Sequence, residues 1–300
     1  KRQVYGLIGY GGMGRWHTEI LSNVPEAVIG GIYDIKEEKR EEAKEKGFFV
    51  YETEEAMLAD PDIDVVLIAT PNDCHKPIAI RAMHAGKNVI SEKPVTLSSA
   101  DLLEMENAAK ETGKLLTVHQ NRRWDDDFLI IKKLVEEQKL GHVFRIESRV
   151  HGSRGIPGDW RKEKVHGGGM VLDWGVHLLD QILYMYGDRK IETVYASLTN
   201  VTNQEVDDGF TAILTFEGGT EVLVEVGTNN YISLPRWYVL GEDGTAVIRD
   251  WQLNGEIIRK TGMTEETVVP VKTAAGLTKT MAPRREDTIV KEDLPLSLIH

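Results

Sequence analysis

Cysteine is nearly absent from this chain of 300 residues, in which Cys74 is the single one. One cysteine cannot form an intrachain disulfide, so a disulfide-stapled secreted scaffold is excluded and a cytoplasmic location is expected. Long apolar runs are missing too, because no window approaches the roughly 18 residues that a membrane-spanning helix needs. The first residues also lack the charged-then-apolar pattern of a signal peptide, so none is expected.

Positive charge is scarce as well. The chain has 36 Lys and Arg against 48 Asp and Glu, a net charge of −12, and its basic residues form neither a stripe nor a tail. Binding to nucleic acid or to an anionic membrane depends on such clusters, so we expect neither partner. Apolar residues are plentiful by contrast, since 41% of 300 residues is enough for the cores of two domains.

The first 120 residues alternate short β-branched runs with longer amphipathic segments. The run VVLIA at 65–69 has no polar face, which is typical of a strand in a parallel sheet covered on both sides. Strands are predicted at 4–8, 28–33, 65–69, 88–91 and 115–118, and helices at 15–22, 36–46, 77–85 and 100–111. This rhythm predicts a doubly wound parallel sheet.

The pattern changes after residue 120. Helices are predicted at 126–138 and 170–186, and strands at 143–150, 210–216 and 220–226. Glu217, Gly218 and Gly219 join the last two strands, which predicts a hairpin. We therefore expect an α/β chain of two domains, with a parallel sheet in 1–120 and a mostly antiparallel open sheet with helices on one face in 121–300.

A glycine-rich turn follows the first predicted strand. The stretch LIGYGGMG has the spacing G-x-G-x-x-G through Gly9, Gly11 and Gly14. The first glycine permits a tight turn, the second lets the backbone approach a pyrophosphate, and the third allows close packing of helix on strand. The helix N-terminus offers amide groups to the phosphates. Between a strand and a helix, this turn predicts a dinucleotide-binding Rossmann domain over 1–120.

Asp34 ends the second predicted strand, where a carboxylate can accept hydrogen bonds from an adenosine ribose. The same charge repels a 2′-phosphate, so NAD is favoured over NADP. Lys36, Lys39 and Arg40 follow closely. Their positive charges could bind a 2′-phosphate, so NADP remains the less favoured alternative. A solvent-exposed helix face is the better explanation for these three residues.

Three further motifs follow in order. They are IATPNDCH at 68–75, AMHAGKNVISEKPV at 82–95, and GGGMVLDWGVHLLD at 167–180, which contains G-x-H-x-x-D. With the glycine turn, they resemble the glucose-fructose oxidoreductase, inositol dehydrogenase and rhizopine-catabolism family (GFO/IDH/MocA). The resemblance implies a Rossmann domain, then an α/β domain whose open sheet commonly makes subunit contacts. It also implies hydride transfer between a pyridine nucleotide and sugars, polyols or related hydroxy compounds.

The resemblance further implies roles for individual residues. Lys93 matches the lysine that reaches the nicotinamide and the reacting oxygen, and its bond to Pro94 is expected to be cis. Asp173 and His177 match the acid and the histidine that complete the site. The residues expected around the cofactor are Gly9, Gly11, Gly12, Met13, Gly14, Asp34, Thr70, Pro71, Asn72, His75, Glu92 and Lys93.

Oxidation of an alcohol removes a hydride from carbon and a proton from oxygen. His177 suits the role of the base, because an imidazole ordinarily titrates near neutral pH. Lys93 supplies a positive charge that stabilises developing alkoxide character. Asp173, four residues before His177 on the predicted helix, is close enough to orient the imidazole or to bind substrate.

The helix that carries these residues is predicted to bury Val176, Leu179 and Leu183 and to present a polar stripe of Asp173, His177 and Asp180. Plainer explanations exist for each catalytic candidate: a core histidine, a carboxylate that complements the helix dipole, and a surface lysine. Asp173 and His177 could also begin a metal site. No third ligand stands out in the sequence, so no metal is expected.

Substrate contacts are predicted at the start of the second domain, in a glycine-rich loop, and on the helix. The candidates are Asn121, Arg122, Trp160, Arg161, His166 and Asp180. Trp160 offers a flat face to a sugar ring, or it only anchors its loop. Arg123 is explained equally well by a substrate contact and by an ordinary salt bridge.

We therefore expect an NAD-dependent dehydrogenase of a sugar, cyclic polyol or related hydroxy compound. The alternating apolar strands of the second domain favour a homodimer or homotetramer assembled through its sheet. Two alternatives stay open: an NAD-dependent glycoside hydrolase of the same fold, and a regulatory protein that binds NAD without turnover.

Overall fold

A computed structural model describes residues 2–263, 271–278 and 284–296. The outer limit of the predicted second domain, residue 300, lies outside the described residues. Among those described, no helix has both the length and the apolar character needed to cross a bilayer.

The chain divides into two compact units. The first combines the residues up to Gln120 with Pro157–Val176, and the second combines Asn121–Ile156 with the residues from His177 onward. The sequence pattern assigns 157–176 to the second domain, whereas the structure packs this segment with the first unit. The reason lies in hydrogen bonds over long sequence separations, described below, which no local pattern reveals.

A five-stranded parallel sheet forms the centre of the first unit. Its strands are β1 (Gln3–Ile8), β2 (Ala27–Tyr33), β3 (Val65–Ile68), β4 (Asn88–Ser91) and β5 (Leu116–Val118), in the order β2-β1-β3-β4-β5. An isolated parallel bridge joins Ile32 of β2 to Val50 at the outer edge. Counting that bridge as a strand gives the order 3-2-1-4-5-6 of dinucleotide-binding sheets. The predicted Rossmann fold is confirmed.

Each face of this sheet carries its own core, because neighbouring residues of a strand point to opposite faces. The helices are α1 (Gly12–Ser22), α2 (Glu37–Glu45), α3 (Glu54–Ala59), α4 (His75–His84) and α5 (Ser99–Thr112). Ile8 of β1 packs with Met83 of α4 on one face. Leu7 packs with Ala43 of α2 on the other. Helix α3 was not predicted, since six residues are too few to show a helical period.

An eight-stranded sheet forms the second unit. Its strands are β6 (Val143–His151), β7 (Ile191–Thr199), β8 (Gly209–Phe216), β9 (Glu221–Gly227), β10 (Trp237–Gly241), β11 (Gly244–Ile248), β12 (Gly255–Lys260) and β15 (Ile289–Glu292). The order is β15-β12-β11-β10-β6-β9-β8-β7, and only the β6–β9 pair is parallel. A separate hairpin comprises β13 (Val271–Thr273) and β14 (Gly276–Thr278). The predicted mostly antiparallel sheet is confirmed.

The β8–β9 hairpin and the helices also follow the predictions. Gly218 and Gly219 have φ angles of +91° and +84°, values that favour glycine. Helix α6 (Asp126–Glu136) places Phe128 6.3 Å from the Trp237 ring. Helix α7 (Val176–Tyr186) stacks Tyr186 on Phe216 at 4.8 Å. Trp237 pairs through Ser148 and Val224 with Ala212, which lies on the same face of β8 as Phe216, so both helices pack on one face of the sheet.

The predicted packing of the helix at 170–186 is wrong in detail. Its first turn, Val171–Gly175, is π-helical, and only Val176–Tyr186 is α-helical. Its buried residues are His177, Leu178, Gln181, Ile182 and Tyr186. Leu183 is 45% exposed, and Val176 and Leu179 are only half-buried. The helix is apolar on several sides, so the sequence alone could not fix which side faces the core.

Candidate active site

The glycine turn contains two kinds of glycine. Gly9 has a φ of +97°, and a Cβ there would lie 2.5 Å from the Ala69 carbonyl oxygen. A Cβ on Gly14 would lie 2.1 Å from the carbonyl oxygen of Gly9. Beside Gly11 and Gly12, apart from the neighbouring residues of the chain and the backbone of α1 itself, no described atom lies within 4 Å of an added Cβ. Gly9 and Gly14 therefore build the turn, and the space at the α1 N-terminus is open to a phosphate.

Asp34 lies at the carboxyl end of β2 and fixes the same turn. Its Oδ2 accepts a hydrogen bond from the Tyr10 N–H at 2.7 Å, and its Oδ1 accepts one from the Lys36 N–H at 2.8 Å. A carboxylate oxygen has more than one lone pair, so both oxygens can still accept from ribose hydroxyls. Met13, in the first turn of α1, is exposed beside this region.

Thr70, Pro71 and Asn72 follow β3, at the edge of the sheet where open α/β folds bind ligands. Thr70 and Pro71 are half-buried and keep some accessible surface. Asn72 is buried, and its Nδ2 donates to the Gly167 carbonyl oxygen at 2.9 Å. The Asn72 amide therefore fixes the segment 157–176 on the first unit.

His75 does not have the predicted place beside a cofactor. The side chain has no accessible surface, and its Nδ1 and Nε2 face the carbonyl oxygens of Pro94 and Thr70 at 2.8 and 3.0 Å. Burial lowers the pKa of His75, and the two carbonyl contacts only partly oppose that effect. The expected direct contact is wrong. His75 instead fixes the backbone on both sides of the site.

Lys93 follows β4 and binds Asp173. Its Nζ donates to Asp173 Oδ1 at 2.9 Å and to the Asp173 carbonyl oxygen at 2.8 Å, and both side chains are 16% exposed. The Lys93–Pro94 bond is cis, as the resemblance implies. An ammonium has three N–H donors, and these contacts use two of them. The third can reach a ligand oxygen.

Asp173 is held as a carboxylate. Burial raises its pKa, but the charges of Lys93 and Arg161 outweigh this effect and keep the pKa below its usual range. Arg161 Nε lies 3.4 Å from Asp173 Oδ1. Asp173 lies in the π-helical turn and His177 in the α-helix that follows, so the predicted shared α-helical face is not formed. Such π turns are frequent at functional sites.

Two other predicted substrate residues lie in the segment 157–176. His166 Nδ1 lies 3.1 Å from Asp73 Oδ1, so this imidazole helps to bind the segment to the first unit. The Arg161 guanidinium lies 4.6 Å from the centre of the Trp160 ring. One face of that ring is therefore covered, which favours the anchoring explanation for Trp160.

The remaining predicted site residues belong to the second unit: Asn121, Arg122, His177 and Asp180. Arg123 forms a bidentate pair with Asp180 at 2.7 and 2.6 Å, as the salt-bridge interpretation expects. Arg122 Nη1 donates to Asp125 Oδ2 at 3.0 Å. Asn121 is half-buried at the start of a 3-10 turn, and His177 is buried in the first turn of α7.

Sequence reasoning missed a cluster centred on Glu92. His17 Nε2 lies 2.6 Å from Glu92 Oε1, and His119 Nδ1 lies 3.0 Å from the same oxygen. Glu92 is buried, so its carboxylate faces these imidazoles and not a cofactor, contrary to the prediction. The three residues are far apart in the sequence. Only the order of strands in the sheet brings the ends of β4 and β5 together beside α1.

The sequence matches the profiles of a known family, and this match agrees with the order of strands, the glycine turn and the lysine after β4. Residues 4–120 match the family profile described as oxidoreductase family, NAD-binding Rossmann fold, and residues 128–247 match the GFO/IDH/MocA C-terminal domain. The chain belongs to the GFO/IDH/MocA oxidoreductase family. The resemblance inferred from four sequence motifs is thereby confirmed.

Solved structures and a curated relative place the chain within this family. An NAD-binding protein from Listeria innocua is 52% identical, with a TM-score of 0.96 over 98% of this chain and 85% of that one. Levoglucosan dehydrogenase in complex with NADH and L-sorbose is 26% identical, with a TM-score of 0.76 over 88% and 78%. The scyllo-inositol 2-dehydrogenase (NADP(+)) of Bacillus subtilis (strain 168) is 31% identical over 81% of this chain and 67% of its own length. The chain spans about half the length of several other curated relatives that it matches.

Proposed function

We propose that this GFO/IDH/MocA protein is an NAD-dependent dehydrogenase that oxidises a hydroxyl group of a sugar, cyclic polyol or related compound. The observation that carries the proposal is the Lys93–Asp173 pair at the carboxyl end of β4. It lies in the same unit as a glycine turn with open space beside Gly11 and Gly12. A catalytic cation and a dinucleotide-binding turn in one sheet are the parts that alcohol oxidation requires.

The residues around Gly11 fit a dinucleotide, because an added side chain there would occupy open space that a pyrophosphate can fill. When bound, the nicotinamide supplies the hydride acceptor. Lys93 donates a hydrogen bond to the substrate oxygen and stabilises its developing negative charge. Asp173 orients that ammonium, and His177 takes the hydroxyl proton as general base.

Relatives and the segment 157–176 support the proposed substrate class. A relative named for scyllo-inositol and a related structure that contains L-sorbose both point to compounds with many hydroxyl groups. Arg161 and His166 are donors of the kind that reads such hydroxyls, with Asn121, Arg122 and Asp180 as further candidates in the second unit. We propose a homodimer or homotetramer, because the outer strand β7 exposes Val194, Tyr195 and Leu198. We also propose a cytoplasmic location, since a chain with a single cysteine suits a reducing compartment.

The decisive experiment is a screen of polyols and aldoses with NAD and with NADP that follows the absorbance of reduced nicotinamide. Turnover with at least one polyol or aldose supports the dehydrogenase. Consumption of a glycoside without net NADH would favour the NAD-dependent glycoside hydrolase instead. Tight NAD binding without turnover on any compound would favour a regulatory protein.

The glycine turn allows binding to be separated from folding. Gly11→Ala is expected to leave the melting temperature unchanged, since the added methyl meets no described atom within 4 Å other than those of its chain neighbours, but to abolish detectable NADH binding. Gly14→Ala is expected to lower the melting temperature, because its Cβ would lie 2.1 Å from a backbone oxygen. Thermal unfolding and NADH fluorescence test both variants. Normal NADH affinity in Gly11→Ala would contradict the assigned site.

Asp34 is expected to set the preference for NAD. Two of the three nearby cations already have partners, since Lys39 Nζ lies 2.9 Å from Glu42 Oε2 and Arg40 Nη1 donates to the Asp34 carbonyl oxygen at 2.8 Å. Asp34→Ser removes the charge that repels a 2′-phosphate. It should lower the NAD/NADP ratio of kcat/KM by about 10- to 100-fold. Asp188→Ser, at an exposed position, is the matched control; an unchanged ratio in Asp34→Ser would argue against this role.

A further inference from the structure

Three ionisable side chains meet at the carboxyl edge of the parallel sheet without a place in the proposed chemistry. Glu92 follows β4, His119 follows β5, and His17 lies in α1. Both imidazoles approach one carboxylate oxygen, Glu92 Oε1, at 2.6 and 3.0 Å. Their rings lie 4.7 Å apart, edge to face. We call these residues the His–Glu–His triad.

A buried carboxylate is costly unless donors surround it. Glu92 and His17 are buried, whereas the His119 side chain is 26% exposed. Burial raises the pKa of Glu92, but hydrogen bonds from His119 and His17 outweigh burial and hold it well below its usual range. An ionised carboxylate only accepts hydrogen bonds, so His17 must carry its proton on Nε2 and His119 on Nδ1.

The second oxygen of Glu92 connects the triad to the catalytic lysine. Glu92 Oε2 accepts a hydrogen bond from the Lys93 backbone N–H at 3.2 Å. The residue after Lys93 is fixed from another side, because His75 Nδ1 faces the Pro94 carbonyl oxygen at 2.8 Å. The ionisable groups around Glu92 are thus His17 of α1, His119 after β5, His75 of α4 and Lys93 itself.

We propose that Glu92, held by His17 and His119, is a positioning residue that fixes the backbone of Lys93 relative to the helix that begins at the glycine turn. The inference rests on the proposed function of Lys93. Glu92 bridges α1, whose N-terminus faces the cofactor space, and the strand end that carries the ammonium. The triad therefore sets the distance between the cofactor-binding turn and the group that binds the substrate oxygen.

Hydrogen bonding explains the triad better than a shared metal ion. The three residues offer ligand atoms within 4.8 Å of one another, and His and Glu are ligands that zinc accepts. Two atoms that share a tetrahedral zinc at its usual bond lengths lie roughly 3.3 Å apart. His17 Nε2 and Glu92 Oε1 are 2.6 Å apart, which is too close for two ligands of one zinc ion and fits a short charge-assisted hydrogen bond.

Proton NMR tests the triad without reference to activity. Protons in short imidazole–carboxylate hydrogen bonds resonate far downfield, so the wild type should show two such signals from the triad, besides any from the His151–Glu225 and His166–Asp73 pairs. His17→Gln and His119→Gln should each remove one, Glu92→Gln should remove both, and His84→Gln, at an exposed position, should remove neither. Absence of both signals from the wild type, or a zinc ion bound in equal molar amount and lost in His17→Gln, would overturn the proposal.

Kinetics then test the positioning role. In Glu92→Gln the side-chain oxygen can still accept from the imidazoles, but the amide group then meets the Lys93 N–H with another donor. We expect kcat to fall about 10- to 100-fold, as small misplacements of a catalytic group do, while NADH affinity stays within about threefold. Glu106→Gln, an exposed change, should alter neither.

Lys93→Ala, measured in parallel, separates the two possible failures. Full activity in Lys93→Ala would refute the proposed function of the lysine and not the hydrogen-bonded triad. A large loss in Lys93→Ala together with wild-type kcat in Glu92→Gln would refute the positioning role. If Glu92→Gln does not fold, His119→Gln gives the same comparison, because its side chain lies partly at the surface and is replaced at lower cost.

Discussion

Replacing Lys93 by methionine is expected to lower kcat by about 100- to 1000-fold, the usual loss when a preorganised donor to a developing oxyanion is removed. Methionine keeps an unbranched apolar chain but has neither charge nor N–H. Affinity for NADH should change little, because the proposed contacts of the glycine turn and Asp34 are with the other end of the dinucleotide. Steady-state kinetics with the best substrate of the polyol screen, and NADH fluorescence, measure the two effects.

Stability must be separated from catalysis in this variant. Lys93→Met leaves the Asp173 carboxylate with Arg161 at 3.4 Å as its remaining cationic partner. The free energy of unfolding should fall by less than the about 3–5 kcal/mol lost when a fully buried pair is broken, since both side chains are 16% exposed. The double variant Lys93→Met/Asp173→Asn removes both charges, so it should regain stability without activity. A kcat within threefold of wild type in Lys93→Met would contradict the catalytic assignment.

Because the pKa of Asp173 is lowered, the difference in stability between the wild type and the double variant should depend on pH. Lys93 and Arg161 hold the folded-state pKa below the unfolded value, although burial opposes them. The unfolded chain therefore binds more protons in acid, and the pair stabilises the fold above the unfolded pKa of about 4. That contribution is lost as pH falls through the folded pKa. The double variant has no such ionisation, so its stability should fall less steeply in acid.

Local patterns predicted the parts of the fold that local physics decides. The apolar run at 65–69 contains the buried central strand β3 (Val65–Ile68), and Gly218 and Gly219 lie in the turn of a hairpin. The glycine spacing could be interpreted because each glycine answers a steric demand within the turn. Gly14, for example, faces the carbonyl oxygen of Gly9 only five residues away.

Contacts between distant residues could not be predicted in this way. Asn72 and Gly167 are 95 positions apart, yet their hydrogen bond helps to place the segment 157–176 in the first unit. Glu92 and His17 are 75 positions apart. Single residues in each segment carry no periodicity, so only the order of strands reveals the pair. Local composition also cannot choose the buried side of α7, where leucines lie on several sides.

Replacing His177 by glutamine is expected to lower kcat by about 100- to 10,000-fold, the range found when a general base is lost. Glutamine is a polar side chain of similar reach, which limits the disturbance at this buried position on α7. His84→Gln changes an exposed histidine in the same way and should retain wild-type kcat. The rate at high pH should recover in part in His177→Gln, because hydroxide or water can then accept the proton.

Combining His177→Gln with Lys93→Met decides whether the two residues act on the same oxygen. Groups that act as a unit are strongly non-additive, since removing one already forfeits most of what the other contributes. We expect the double variant to be little slower than the worse single variant. Losses that multiply would mean that lysine and histidine act at independent steps. If the double variant is little slower than the worse single variant, the two residues share a step. A general base speeds only proton removal, so that step is the conversion of hydroxyl to alkoxide that precedes or accompanies hydride transfer.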